Sequence, residues 1–222
     1  MENKYIHFGE EIDANKYYKN MTINNFVDRT KETRLNDIIK KKAILYYKAS
    51  IEYFKKLNKL EFNQALNKLL DLYTFKEVKN LKEVAKKNGI YLLVLDNYKQ
   101  IYIGQTCDDL RKRILRHFKR KLSFAEVPIV RPYTPPIDAF KPLDITRIYV
   151  LYTPIQNVLD DIEANLIHNI DNKFILNKTI GGKAYDDLEV AIRLTLGRIN
   201  KDIGLKSIDD KSMDELLKDI KL

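Results

Sequence analysis

The sequence predicts an α+β protein: a small antiparallel three-stranded sheet flanked by helices, preceded by a helical N-terminal subdomain. Three observations predict it. Helical spacing dominates the stretch before Asn88-Gly89. A short hairpin of strand formers follows at 90–104. A third apolar run at 146–153 leads straight into an amphipathic helix. The 222 residues divide accordingly into 1–87, a helical N-terminal subdomain or arm; 88–182, an α+β domain with a Pro-rich insertion at about 122–143; and 183–222, a C-terminal helical extension.

Residues 1–33 are polar and irregular, and little structure is expected there. From Arg34 to about Leu60 the residues Leu35, Ile38, Ile39, Ala43, Tyr46 and Tyr47 recur at spacings of three and four, which predicts a helix. A second helix is expected over Glu61 to Leu72, with Phe62, Leu66, Leu69 and Leu70 on its apolar side. Thr74 is placed to cap a third, ending at Asn88-Gly89. Ile90 to Leu95 and Gln100 to Gly104 are strands joined by a turn at Asp96-Asn97-Tyr98-Lys99. Thr106-Cys107-Asp108-Asp109 has the spacing of a capping box and opens a basic helix to about Lys121. Five of the six prolines fall between Pro128 and Pro142, a loop of restricted backbone. Thr146 to Thr153 is the third strand. Pro154 suits the first turn of a helix running to about Ile170. Asp187 to Ile199 and Met213 to Leu222 are further helices.

Composition narrows the partner. The chain carries 40 Lys+Arg against 31 Asp+Glu, a net charge of +9. This favours a polyanion, either nucleic acid or an acidic membrane surface, although a Lys-rich proteome would also produce it. The single cysteine allows no intrachain disulfide and fits a cytoplasmic setting. The segment Met1 to Tyr18 lacks the apolar core of a signal peptide. No stretch approaches the length of a membrane span.

The residues that carry chemistry cluster after position 88. Gly89-Ile90-Tyr91 is followed by Tyr102-Ile103-Gly104. Strand alternation sends both tyrosines to one face and the isoleucines to the other. An ordinary tyrosine-bearing hairpin would also fit the two tripeptides alone. On the next helix Leu110, Ile114 and Phe118 form the apolar stripe. Arg113 and His117, four apart, share a different face. A guanidinium grips phosphate bidentately, and a histidine exchanges protons near neutrality. Arg111, Arg116 and Arg120 surround them, as do Lys112, Lys119 and Lys121. These are candidates for a polyanion, or else a solvated face. On the last helix Glu163 falls inside the apolar arc of Ile155, Val158, Leu159, Ile162, Leu166, Ile167 and Ile170, with Asp160 at its edge. A carboxylate there pairs with a cation or binds a metal. Asn177 ends the short run Phe174-Ile175-Leu176 and reads as a turn former on pattern alone. Val130-Arg131-Pro132-Tyr133 is either a groove-reaching segment, with Arg131 at a base edge or phosphate, or a packed connector. Cys107 reads as incidental, and His7 and His168 as ordinary surface residues.

Over residues 88 to 181 the sequence resembles the GIY-YIG nuclease superfamily. The likeness rests on the order and spacing of Gly89-Ile90-Tyr91, Tyr102-Ile103-Gly104, Arg113, Glu163 and Asn177. His117, four residues after the arginine, is similar to the arrangement in the family's restriction-enzyme members. The long Pro-rich segment between Lys121 and Leu143 departs from the minimal domain. The resemblance implies an endonuclease that hydrolyses phosphodiester bonds, leaving 5′-phosphate and 3′-hydroxyl. It implies one Mg²⁺ (or Mn²⁺) held by Glu163, since this ion needs few protein ligands. Arg113 would stabilise transition-state charge. Tyr91 would help activate water, with His117 as its helper or as the base itself, and Tyr102 and Asn177 would position water, phosphate or the glutamate. The expected partner is double-stranded DNA, read sequence-specifically. A palindromic target would call for a homodimer. The alternatives are a catalytically silent DNA-binding or interaction protein that keeps the fold, and a structure-specific nuclease that works with a partner. A membrane-surface role fits poorly, because residues 108–121 lack a large apolar face.

Overall fold

A computed structural model describes residues 4–13, 50–119, 137, 140–153 and 156–177. Two antiparallel sheets and several helices make the fold α+β. The main sheet has four strands, not three. In spatial order they are β3 (Lys76–Glu77), β6 (Arg147–Tyr152), β4 (Gly89–Leu95) and β5 (Gln100–Thr106). All neighbours are antiparallel.

The fourth strand, β3, lies where a helix capped by Thr74 is expected. Val78, Leu81 and Val84 are spaced by three. That spacing fits a 3₁₀ turn as well as an α-helix, and Leu81–Val84 forms such a turn, capped by the side chain of Asn80. Pairing with β6 takes the residues before it: Val78 N donates to Ile148 O at 2.8 Å. The strands on either side of the 87/88 boundary therefore belong to one sheet.

Residues 4–13, expected to be irregular, form a hairpin of β1 (Lys4–His7) and β2 (Glu10–Asp13). Phe8 and Gly9 turn it with positive φ at both, the geometry that matches strand twist. Two four-residue runs separated by two residues ending in Gly were the available signal. The hairpin docks on the main body. Leu81 N donates to Phe8 O. The His7 ring is hydrogen-bonded to Ile145 O at 2.8 Å and lies beside Phe118. His7 is thus a packed residue, not an ordinary surface one.

Residues 50–56 are helical, and the chain breaks at Leu57-Asn58 before α1 (Lys59–Leu70). Asn58 supplies the break, accepting from Leu60 N and Glu61 N. Helix α2 (Leu110–Lys119) is capped by Asp109, which accepts from Lys112 N at 3.0 Å. Thr106, expected as the cap, instead accepts from Asp108 N in the preceding turn. Helix α3 (Leu159–His168) follows a 3₁₀ turn at Gln156–Val158. The expected helices at 34–49, 187–199 and 213–222, and most of the Pro-rich insertion, lie outside the described residues.

Strand β4 is buried on both faces, as its unbroken apolar run requires. On one face Ile90, Leu92 and Val94, with Ile101 and Ile103 of β5, pack against α1 and α3. On the other, Tyr91, Leu93 and Leu95 pack against Leu110, Ile114 and Phe118 of α2.

Candidate functional site

The site straddles the edge strand β5. Tyr91 leaves β4 on the α2 face, directly opposite Gly104 in register. Its ring lies across β5 at that glycine. A Cβ on residue 104 would sit 2.4 Å from the Tyr91 Cζ and Oη atoms, so only glycine leaves room. Gly89 answers a different need. Its φ is +146, and a Cβ there would meet Leu151 O at 2.0 Å. Both motif glycines are therefore explained by backbone and ring approach.

The Tyr91 hydroxyl is a hub. It lies 2.8 Å from His117 Nε2, receives a bond from Arg113 Nε at 3.3 Å, and is hydrogen-bonded to Tyr102. The His117 ring meets that of Tyr102 edge-on at 5.1 Å. Tyr91 is fully enclosed (0% exposed), whereas Tyr102, Arg113 and His117 are half-buried. Burial pushes the Tyr91 hydroxyl well above the ordinary tyrosine range. Tyr102 pushes the same way, and Arg113 opposes both.

The second half lies on the α3 side. Gln105 alternates away from Tyr102 and Gly104, and its Nε2 donates to Glu163 Oε2 at 3.0 Å and to Asp160 Oδ1. Glu163 is buried on the apolar face of α3, as its position in the arc requires. Burial holds its carboxyl above the usual carboxylate range. Gln105 pulls it down, Asp160 pushes it up and Arg113 pulls it down. Arg113 thus acts on both halves: it hydrogen-bonds the tyrosine and lowers the cost of charge on the glutamate.

The Asn177 amide is engaged with backbone. Its Oδ1 accepts from Ile103 N at 2.8 Å and its Nδ2 donates to Ile103 O at 2.7 Å. Leu176 N bonds Ile101 O just before it. The amide stands in for a neighbouring strand and clamps β5 between Tyr102 and Gly104.

Of the basic residues, Arg116 is exposed on α2. Arg111 forms a two-bond ion pair with Glu10 of the N-terminal hairpin, at 2.7 and 3.0 Å, and so faces a carboxylate. Arg120 and Arg131 lie outside the described residues. Gln105 is the polar neighbour that sequence reasoning passed over, and Asp160, noted at the edge of the arc, was not assigned to the site. The signal for Gln105 was its place on β5, one residue beyond the motif glycine and on the opposite face.

Among the described residues no group of three or more His, Cys, Asp and Glu side chains is placed to hold a metal ion. Asp160 and Glu163 nevertheless bring two hard oxygen donors together around one amide. Gln105 hydrogen-bonds both carboxylates, and the charge of Arg113 acts on Glu163. That donor set suits a hard divalent cation that keeps most of its waters. No protein-family model, curated protein or solved structure matches the chain.

Proposed function

We propose that this chain is a metal-dependent DNA endonuclease of the GIY-YIG type, sequence-specific and restriction-like, acting on double-stranded DNA in the cytoplasm. The observation that carries the reading is the hub at Tyr91, where one buried hydroxyl joins Arg113, His117 and Tyr102. An ordinary tyrosine hairpin has no need of a guanidinium and an imidazole on the same oxygen.

The reaction is hydrolysis. Water bonds to phosphorus, the P–O3′ bond breaks, and the products are a 5′-phosphate and a 3′-hydroxyl. Tyr91 is enclosed and holds its proton at neutral pH, so it is poorly suited to meet the water itself. It serves as the anchor. Arg113 donates into its oxygen, Tyr102 and His117 are hydrogen-bonded to it, and the His117 imidazole is the group that takes the water's proton. The guanidinium of Arg113 carries the charge that develops on the phosphoryl oxygens. Glu163, held by Gln105 and flanked by Asp160, would bind Mg²⁺ or Mn²⁺. The ion would supply charge stabilisation at the scissile phosphate and the departing oxygen. Asn177 acts at one remove, by fixing the strand that carries Tyr102.

The test is cleavage of supercoiled plasmid and phage DNA with Mg²⁺, comparing wild type with Glu163→Ala and Arg113→Ala. Discrete fragments from wild type, with each variant slower by about 10²–10³, are the expected result. Intact DNA with wild type across several substrates, with salt-sensitive binding retained, would replace the reading by that of a silent binder. A palindromic site would add a homodimer.

A further inference from the structure

Helix α2 carries more than its inward face. At 100° per residue, Lys119, Lys112 and Arg116 fall within an arc of about 60°, and Arg113 follows about 60° further round. The stripe is therefore the immediate neighbour of the candidate site. With Leu115 these three side chains line an open groove of about 510 Å³. All three cations are exposed, and among the described residues no carboxylate lines the groove. The helix itself contains no acidic residue. Lys112 and Arg116 are four apart, and Arg116 and Lys119 three apart. Like charges at these spacings destabilise a helix unless an anion lies between them. On the same helix Arg111 does have its carboxylate, from Glu10. Among the described residues, one flank of α2 is thus paired with a carboxylate and the groove is not.

We propose that this groove holds the phosphate backbone of the nucleic acid flanking the cut, with Lys112, Arg116 and Lys119 as the contacts. The inference rests on the nuclease reading of the adjacent site. From Lys112 to Lys119 the helix rises about 10 Å, enough to follow several phosphates at about 3.4 Å of rise each along one strand. Leu115 gives the long side-chain stems an apolar floor while their charges reach outward. A lipid surface fits less well, because among the described residues Leu115 is the one apolar residue that lines the groove, and it is itself half-buried.

The experiment is fluorescence anisotropy of a labelled mixed-sequence DNA duplex, titrated with full-length protein from about 50 to about 200 mM salt. Wild type is compared with Lys112→Gln/Arg116→Gln/Lys119→Gln. A control, Lys56→Gln/Lys59→Gln/Lys68→Gln, loses the same charge from exposed positions in the helices before β3. Matched thermal melts establish that both variants fold. Each lost phosphate contact flattens the plot of log affinity against log salt by about 0.9. The groove variant should therefore flatten by about two to three, and the control by less than one. Equal slopes for wild type, groove variant and control would overturn the groove. So would loss of binding to phosphatidylserine vesicles with DNA binding unchanged. Plasmid cleavage by wild type, measured in parallel, separates the two ideas. Cutting with unchanged slopes removes the groove and keeps the nuclease. Flattened slopes without cutting keep the groove and remove the nuclease.

Discussion

The two faces of β4 are built from alternate residues of one strand, yet they do different work. Ile90, Leu92 and Val94 pack among apolar side chains of α1 and α3, including Phe62, Leu66 and Leu166. Tyr91, one residue along on the opposite face, brings a hydroxyl into the other core and surrounds it with His117, Arg113 and Tyr102. The first face gains its stability chiefly from buried apolar area. The second gives up part of that gain to hold a polar cluster in fixed geometry. A strand buried on both sides suits such a cluster, because the packing that surrounds Tyr91 leaves its ring no alternative position.

Substitutions on each face should sharpen the contrast. Phe62→Ala should have the largest effect on folding. Phe62 is fully buried and packs edge-on against Phe174 at 5.5 Å, so the cavity should cost about 3–5 kcal/mol in a urea titration. Per folded molecule, cleavage should be unchanged. Asn177→Ala comes next, at about 2–3 kcal/mol, because it strips both backbone partners from buried Ile103. A variant of undiminished stability that no longer cuts would show that Asn177 meets the substrate instead.

Tyr91→Phe keeps the ring over Gly104 and removes only the hub. Unfolding should shift by no more than about 1.5 kcal/mol, while cleavage falls about 10²–10⁴-fold. Equal losses in both would mean that the hydroxyl is a packing group. Glu163→Gln should move stability in the opposite sense. The folded carboxyl titrates above its unfolded value because of burial. Its ionisation therefore removes stability as pH rises through the folded value. The glutamine variant should melt higher than wild type at neutral pH, and the difference should vanish below about pH 4. It should also fail to cut. A neutral-pH melt equal to or below that of wild type would contradict the charge-burial account.

These contrasts were partly legible in the residues. Period-two alternation separated Tyr91 and Tyr102 from Ile101 and Ile103. Helical periodicity set Glu163 on the buried arc of α3, and the turn at 96–99 joined the right strands. Asn177 could not be interpreted from pattern, because an amide that replaces a strand looks the same in sequence as one that ends a turn. Strand β3 is only two residues long and shows no alternation of its own, and the three-residue spacing that follows it suits an α-helix and a 3₁₀ turn alike.

What the sequence alone determined is local and periodic: which hairpin forms, which face of it carries tyrosine, and which helix faces are apolar. These follow from steric repeats within a few residues of chain. What only the tertiary structure decided is long-range. It matched Gly104 to the ring of Tyr91, placed Gln105 between Asp160 and Glu163, and paired Arg111 with Glu10, 101 residues earlier. The physical reason is that each of these contacts depends on the register and docking of whole elements. No short window of sequence specifies where a strand edge will meet a helix.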